Sequence, residues 1–362
     1  MSKKAKIGII CAAIALIAAI GTVVVVIAQK NKPEENKETV TQEETHDGQV
    51  RSYLTGEWVD EAIGRTRPIA VMTENTKDAL PQYGLNSAGV IYEAPVEGSI
   101  TRMMAIYEDY ADLTQIGNVR SCRPYYVYFA SEFDAIYVHF GQSIHGEVLL
   151  DTGIVDNLSG LDGSINDTFY RTNEHAAPHN AYTSAEGIAY GIEKKGYAKS
   201  YSADYDGHYV FAEDDAYNKL ADGTDCVVVA PYYFYNHPYF IYNKDTKTYA
   251  RYQFGDAQID AVDNQQVEVS NIIFQNVDNS IYEETQYLNI DVFGSGEGKF
   301  FTNGKMIDIF WEKAEDGITH YYTTDGEEIV LNQGKTWVCI IQNAYADDSA
   351  FYATAEEFEQ TK

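Results

Sequence analysis

The stretch VIYEAPVEGSITRMMAIY, residues 90–107, predicts the centre of the fold. Two apolar, strand-like segments, Val90–Ala94 and Ile100–Tyr107, surround a short polar turn in which Pro95 and Gly98 can fold the chain back. The same pattern occurs upstream and downstream, and it predicts two further strands: Pro68–Thr73 and Ala135–Phe140.

Helix-like segments alternate with these strands, and they are Pro124–Phe133, Gly146–Leu158 and Ser184–Lys195. The last has the clearest ends, because Ser184 is a plausible N-cap and Gly196 falls where a C-cap glycine is expected. Residues 51–208 are therefore predicted to form a mixed α/β-type domain.

Beyond residue 208 the pattern changes to one strand after another, in nine segments between Cys226 and Gln342. Asn303-Gly304 is a strong two-residue hairpin signal, and Asp325-Gly326 predicts a second turn. A β-rich domain is predicted over residues 209–345, followed by an acidic tail over 346–362. The fold class of the whole chain is accordingly predicted to be α+β.

The amino terminus predicts where the protein is located. Lysines precede an uncharged apolar run, residues 7–28, that is long enough to cross a hydrocarbon layer, so residues 1–30 are predicted to be a cytoplasmic tip and transmembrane anchor. A cleaved signal peptide is the alternative. Residues 31–50 are polar and charged and predict a disordered tether. The expected location is the cell membrane, with one span and the carboxy-terminal domains outside.

Composition limits the partners of the outer region. The chain of 362 residues has 26 Lys+Arg against 55 Asp+Glu, a formal net charge of −29 at pH 7. Nucleic acid is therefore excluded, since phosphate binding needs a basic surface. No motif predicts a cofactor.

Several motifs, in order along the chain, resemble the YerB-like family of Gram-positive extracytoplasmic lipoproteins. They are RPIAVMTEN (67–75), PQYGLNSAGVIYEAPVEGSITRMMAIY (81–107), IGNVRSCRPYY (116–126), DAIYVHFG (134–141) and APHNAYTS (177–184). The resemblance implies two adjoining domains of unknown function outside the cytoplasm. It does not imply an activity. Members carry a lipoprotein cysteine where this chain has an apparent anchor, and they carry alanine where it has Cys122.

The choice of basic residues points to an anion site. Between Ala79 and Glu193 there is no lysine, and the arginines are Arg102, Arg120, Arg123 and Arg171. Arginine offers a planar fork suited to carboxylate or phosphate, whereas an ordinary solvated surface would include lysine. The alternative is that each arginine pairs with Glu93, Glu97, Glu132 or Asp134 for structural reasons.

Other residues in these motifs are candidates for the same site. Ser121, His139, His179 and Asn180 are added to the predicted ligand-binding residues, although a structural histidine is the simpler expectation for His139.

Two carboxylates could act as acid and base. Glu93 and Glu97 suggest a glycosidase, but residues four apart in a strand lie about 13 Å apart, too far for either mechanism unless the turn brings them together. Ion pairing is the alternative.

A metal site is not predicted. His175 and His179 have helical spacing for zinc, but Pro178 removes the helical geometry. The cysteines of the outer region, Cys122, Cys226 and Cys339, are expected to be buried free thiols, although a bridge between the last two stays open.

Three functions remain open for the outer region. The first is recognition of an anionic cell-envelope component, such as a wall polymer or peptidoglycan. The second is a wall-polymer hydrolase or transglycosylase that uses carboxylates of the same cleft. The third is a passive scaffold for a partner protein.

Overall fold

The computed structural model describes residues 46–361. The predicted anchor, residues 1–30, and the tether up to residue 45 lie outside the described residues. The tether ends earlier than predicted, because Gln49–Arg51 form a strand that pairs with Trp58–Asp60. His46 stacks on the Trp58 ring at 3.9 Å between ring centroids, so the ordered chain already includes residues 46–50. Among residues 46–361, no helix combines the length and apolar character needed to cross a membrane.

The helices of residues 46–361 are short. The α-helices are Glu61–Gly64 (α1), Pro124–Ser131 (α2), Ile144–Leu150 (α3), Ala185–Lys195 (α4) and Ala355–Glu359 (α5). Short segments of 3-10 helix occur at Lys77–Ala79, Leu85–Ser87, Glu97–Ser99, Gly163–Thr168 and Asn343–Asp348.

Strands dominate the described chain. They are Gln49–Arg51 (β1), Trp58–Asp60 (β2), Ile69–Glu74 (β3), Val90–Pro95 (β4), Thr101–Tyr107 (β5), Ile116–Gly117 (β6), Ile136–His139 (β7), Asn157–Ser159 (β8), Phe169–Arg171 (β9), Ala181–Thr183 (β10), Val210–Phe211 (β11), Thr224–Asp225 (β12), Val228–Ala230 (β13), Tyr239–Asn243 (β14), Thr248–Gln253 (β15), Asp256–Ala257 (β16), Glu268–Val269 (β17), Asn271–Val277 (β18), Asn279–Ile281 (β19), Leu288–Ile290 (β20), Ser295–Thr302 (β21), Lys305–Lys313 (β22), Thr319–Thr323 (β23), Val330–Leu331 (β24), Thr336–Gln342 (β25) and Ala350–Tyr352 (β26).

One large sheet runs through both halves of the chain. Its strand order is β12-β22-β21-β18-β25-β4-β5-β3-β7-β8, with β23 paired to β22. The halves meet where β25 pairs in parallel with β4, in the register Thr336↔Val90 to Cys339↔Glu93. The fold class is α+β, as predicted, and the stretch quoted first supplies the two strands next to this junction.

Both faces of the sheet are covered. Tyr125, Tyr126 and Phe129 of α2 pack on one face, while Ile188 and Ile192 of α4 belong to the core on the other. A second sheet of six strands, β13 to β17 with β26, covers the same face as α4 through residues of β14 and β15. The central strands β3, β4 and β5 are buried along their whole length, as expected for strands covered on both sides.

Two predicted elements are corrected. The helix predicted over Gly146–Leu158 is α3, which ends at Leu150; the chain then turns through Gly153, at φ +73°, and enters β8. The predicted acidic tail, residues 346–362, is folded in part, because β26 pairs with β13 and Phe358 of α5 is buried. In contrast, α4 begins after the Ser184 cap and ends at a left-handed Gly196, and Asn303-Gly304 forms the predicted hairpin between β21 and β22.

Candidate functional site

The predicted site residues gather where several strands end. Strands β3 and β7 run in parallel, and both β3 and β4 are antiparallel to β5, so the carboxyl ends of β3, β4 and β7 share one edge with the start of β5. Helix α2 also begins at this edge, directly after Arg123. Ligands of open α/β sheets bind outside the carboxyl ends of the strands. We call this region the carboxyl edge.

A loop with three predicted residues is held across the edge. Arg120 N–H donates to the Met72 carbonyl of β3 at 2.9 Å, and the Arg120 carbonyl accepts from Phe140 N–H at 2.9 Å. Two residues further on, Cys122 N–H donates to the Gly141 carbonyl at 2.9 Å. The backbone that carries Arg120, Ser121 and Arg123 is therefore fixed between the ends of β3 and β7.

Arg102 lies at the start of β5, opposite Glu74 and Ala94 in the sheet register. It is only 6% exposed, yet no described carboxylate lies within 4.0 Å of its guanidinium nitrogens. Among the described residues, its guanidinium makes one hydrogen bond, from Nη1 to the Ser121 carbonyl at 3.0 Å, and Nε has no partner. A buried cation of this kind is costly unless something compensates it.

The neighbours of Arg102 make its charge less favourable. Burial lowers the pKa of Arg102, and the positive charges of Arg123 and Arg120 lower it further. The charge of Glu74 acts in the opposite direction but is outweighed. Three of the predicted arginines, Arg102, Arg120 and Arg123, therefore converge in an arginine cluster, and Arg102 is the one without a carboxylate within 4.0 Å among the described residues.

Arg120 does have an acidic partner. Its Nε lies 2.6 Å from Oε2 of Glu74, which is fully buried, and its Nη1 donates to the Pro178 carbonyl at 3.0 Å. The same Glu74 oxygen lies 3.2 Å from Nδ1 of His179. Glu74 thus joins two predicted ligand-binding residues, Arg120 and His179, at the end of β3.

Arg123 is also paired. Its Nε and Nη2 hold the Glu97 carboxylate at 2.5 to 3.1 Å, and Leu288 N–H donates to the same carboxylate at 3.1 Å. The guanidinium lies 4.9 Å from the centre of the Tyr287 ring. Partial burial opposes ionisation of Glu97, but the hydrogen bonds and charge of Arg123 outweigh it, so the pKa of Glu97 is lowered.

Glu93, near the carboxyl end of β4, does not pair with the three clustered arginines. It is fully buried in β4 and pairs with buried Arg251 at 2.8 Å between Oε2 and Nη2. Four further side chains donate to its two oxygens, and they are Asn75, Thr101, Asn236 and Trp337. A buried carboxylate with these partners joins the two halves of the chain, and this arrangement favours the ion-pairing alternative for Glu93; its predicted catalytic role stays a prediction.

The other predicted residues have local partners. His139 is buried; its Nδ1 lies 2.8 Å from the Gly141 carbonyl and its Nε2 lies 3.2 Å from Oδ1 of Asn157. Burial lowers the pKa of His139, which favours the neutral imidazole. Asn180 accepts from Arg171 at 2.6 Å, and the Ser121 hydroxyl donates to the Phe140 carbonyl at 3.3 Å. Of these three residues, Ser121 alone contacts the arginine cluster.

Cysteines and metal ligands do not add to the site. Burial raises the pKa of the Cys122 thiol to about 12, which leaves it protonated, and Cys226 and Cys339 are buried free thiols. Within residues 46–361 no group of three or more His, Cys, Asp or Glu side chains is arranged to hold a metal ion.

Three residues that contact the arginines of the edge are not predicted as their partners from the sequence, and they are Glu74, Tyr287 and Leu288. Glu74 ends the motif RPIAVMTEN, but neither its spacing nor its charge distinguishes it as the partner of Arg120. Tyr287 and Leu288 come from the other half of the chain, and only the β25–β4 pairing brings that half to this edge.

Comparison with known proteins gives matches to both halves. Residues 54–198 match the family described as "Protein of unknown function (DUF3048) N-terminal domain", and residues 228–338 match its C-terminal domain. The chain is 32% identical over 301 residues to "Putative lipoprotein YerB" of Bacillus subtilis (strain 168), a match that covers 81% of this chain and 86% of that protein. It also matches the crystal structure of the Bacillus subtilis YerB protein at a TM-score of 0.73 and 29% identity, covering 84% of this chain and 99% of that one.

Proposed function

The chain belongs to the two-domain DUF3048 family, and from this premise we propose that it is a membrane-anchored, extracytoplasmic protein that binds an anionic component of the cell envelope at the carboxyl edge. The location is supported by the lipoprotein name of the Bacillus relative and by the apolar run over residues 7–28. The partner would be a wall polymer or peptidoglycan that carries phosphate or carboxylate groups.

The observation that carries the proposal is the unpaired guanidinium of Arg102. Two neighbouring arginines already have carboxylate partners, so the charge that remains uncompensated belongs to Arg102. An anion beside it would relieve both the burial of its charge and the repulsion from Arg120 and Arg123. Charge-assisted hydrogen bonds from arginine to an anion are among the stronger polar contacts in proteins.

Binding is better supported than hydrolysis. A glycosidase needs two carboxyl groups beside its substrate, one of them an acid with a raised pKa. Glu93 is sealed in the junction, and the pKa of Glu97 is lowered by Arg123, which suits an ion pair rather than a proton donor.

The proposal can be tested by binding to isolated Gram-positive cell walls. The full-length protein, purified in detergent, is sedimented with walls that retain their anionic polymers and with walls from which these polymers have been extracted. We expect binding to the complete walls, and we expect Arg102→Met to reduce their affinity at least about tenfold, because one hydrogen-bonded charge contributes roughly 1.5–3 kcal/mol.

The matched control is Lys299→Gln, which also removes one positive charge but from a surface ion pair with Asp308. This variant should bind like the wild type. Equal binding by Arg102→Met and the wild type, or equal binding to complete and extracted walls, would overturn the proposal.

A further inference from the structure

A cleft adjoins the carboxyl edge. Residues 95–101, between β4 and β5, form one side, and segments of the carboxy-terminal half form the other; the volume is about 540 Å³. Glu97 lines this cleft and also holds Arg123, so the cleft and the arginine cluster share a residue. We call it the aromatic cleft.

Aromatic side chains line the cleft and remain open to solvent. Phe234 is 66% exposed, and Tyr345, in the 3-10 segment Asn343–Asp348, is 45% exposed. The Tyr345 ring lies 5.6 Å from the ring of Tyr232, another lining residue. Exposed aromatic residues side by side in a concave site are typical of binding surfaces.

Most polar side chains of the cleft are uncharged. Amide and hydroxyl groups predominate, and among the described lining residues Glu97 is the only charged side chain. The side chains of Ser99, Asn279 and Gln342 make no hydrogen bond to any other described residue, so their donors and acceptors are available. Amides and hydroxyls both donate and accept, which suits a ligand rich in hydroxyl groups.

Two residues of the cleft have a left-handed backbone conformation, which most residues avoid. Ser99 has φ +61° and Gln286 has φ +59°, and neither is glycine. Left-handed backbone at such residues persists where the surrounding structure enforces it, and it concentrates at binding sites. Both residues line the aromatic cleft.

We propose that the aromatic cleft binds a carbohydrate chain. The negative faces of the rings can pack against the C–H groups of sugar rings, while the free amides and hydroxyls bond their hydroxyl groups. An apolar helix of a partner protein would fit less well, because it would bury these polar groups without partners. This inference deepens the proposed function and rests on it, because the full ligand would be a glycan with anionic substituents. The aromatic cleft itself would recognise the neutral sugar rings of that glycan.

The test uses a neutral probe, the β-1,4-linked tetrasaccharide of N-acetylglucosamine, titrated calorimetrically into the full-length protein. We expect Phe234→Ala and Tyr345→Ala each to weaken binding about five- to tenfold, as expected for one aromatic contact of about 1 kcal/mol. Phe293→Ala is the matched control, because Phe293 is 53% exposed but lies outside this cleft. It should leave the affinity unchanged.

The two proposals fail in different ways. The Arg102→Met variant should bind the neutral tetrasaccharide with the affinity of the wild type, whereas its affinity for complete walls should be reduced. If the wild type does not bind the tetrasaccharide, or if Phe234→Ala and Phe293→Ala behave alike, the carbohydrate inference is overturned and the anion site still stands. If Phe234→Ala loses the tetrasaccharide while Arg102→Met keeps its affinity for complete walls, the anion site is overturned instead.

Discussion

Arg251 and Arg102 are both buried arginines, but their surroundings differ. Arg251 has Glu93 at 2.8 Å, a hydrogen bond to Gln258 at 2.6 Å and the Trp337 ring at 4.1 Å. Arg102 has one backbone carbonyl and two neighbouring arginines. At the junction the charge of Arg251 is paired with Glu93 from the other half of the chain, whereas the charge of Arg102 at the carboxyl edge has no carboxylate within 4.0 Å among the described residues. Burial is therefore common to both arginines, and the difference between them is the carboxylate partner that Arg251 has and Arg102 lacks among the described residues.

The largest effect is expected at the junction. Arg251→Met leaves Glu93 buried without its cation, and breaking such a pair costs about 3–5 kcal/mol. We expect the free energy of unfolding in urea to fall by this amount. The double variant Glu93→Gln with Arg251→Met should recover part of the loss, because no uncompensated charge remains. A single variant within about 1 kcal/mol of the wild type would contradict the structural role.

Glu108 is the acidic counterpart of Arg102, because it is a buried carboxylate that forms no ion pair with a described residue. It accepts a hydrogen bond from Ser52, its other oxygen has no partner, and burial raises its pKa to about 7. Between pH 4.5 and 7 the folded state thus binds more protons than the unfolded state, so stability falls as the pH rises. The loss is roughly 3 kcal/mol at most, at about 1.4 kcal/mol per pH unit.

The measurement is urea unfolding at several pH values between 4 and 8, with Glu108→Gln as the control. The variant should show a flatter pH dependence than the wild type in this window. If the two pH profiles are parallel, Glu108 does not titrate as described.

Arg102 and Arg251 also show which features can be predicted from the sequence and which cannot. Periodicity identified β3, β4, β5, β7 and α4, because their residues are apolar on both faces or carry clear caps. The absence of lysine drew attention to Arg102, Arg120 and Arg123. The ion-pair partners of the arginines cannot be predicted from the sequence. Glu93 and Arg251, for example, are 158 residues apart and meet only because the two halves form one sheet.

The site itself was predicted in part for the same reason. Glu97 was considered as a partner for an arginine, and it does hold Arg123, because both belong to neighbouring motifs. The aromatic cleft was not located, since Phe234 and Tyr345 approach residues 95–101 through long-range packing. The sequence contains 30 tyrosines, and their number does not indicate where such a cleft lies.

Arg102→Met should give the opposite sign to Arg251→Met. The substitution removes a buried charge that has no acidic partner, and it removes the repulsion between this charge and those of Arg120 and Arg123. It also removes one hydrogen bond, to the Ser121 carbonyl. We expect the free energy of unfolding to rise by about 1 kcal/mol, because the gain from removing the unpaired charge exceeds the hydrogen bond. A fall of about 2 kcal/mol or more would mean that Arg102, like Arg251, has a structural role.

The smallest effect is expected at Arg123, which stands between these extremes. It has an acid, Glu97, but the side chain of Glu97 is 27% exposed, so solvent screens the pair. Arg123→Lys keeps the charge and loses the fork that holds both carboxylate oxygens. We expect a loss of less than about 1 kcal/mol in urea unfolding, as for other partly exposed pairs. A loss as large as that of Arg251→Met would mean that Arg123 has a structural role like that of Arg251. The proposed anion site would then include only Arg102 and Arg120.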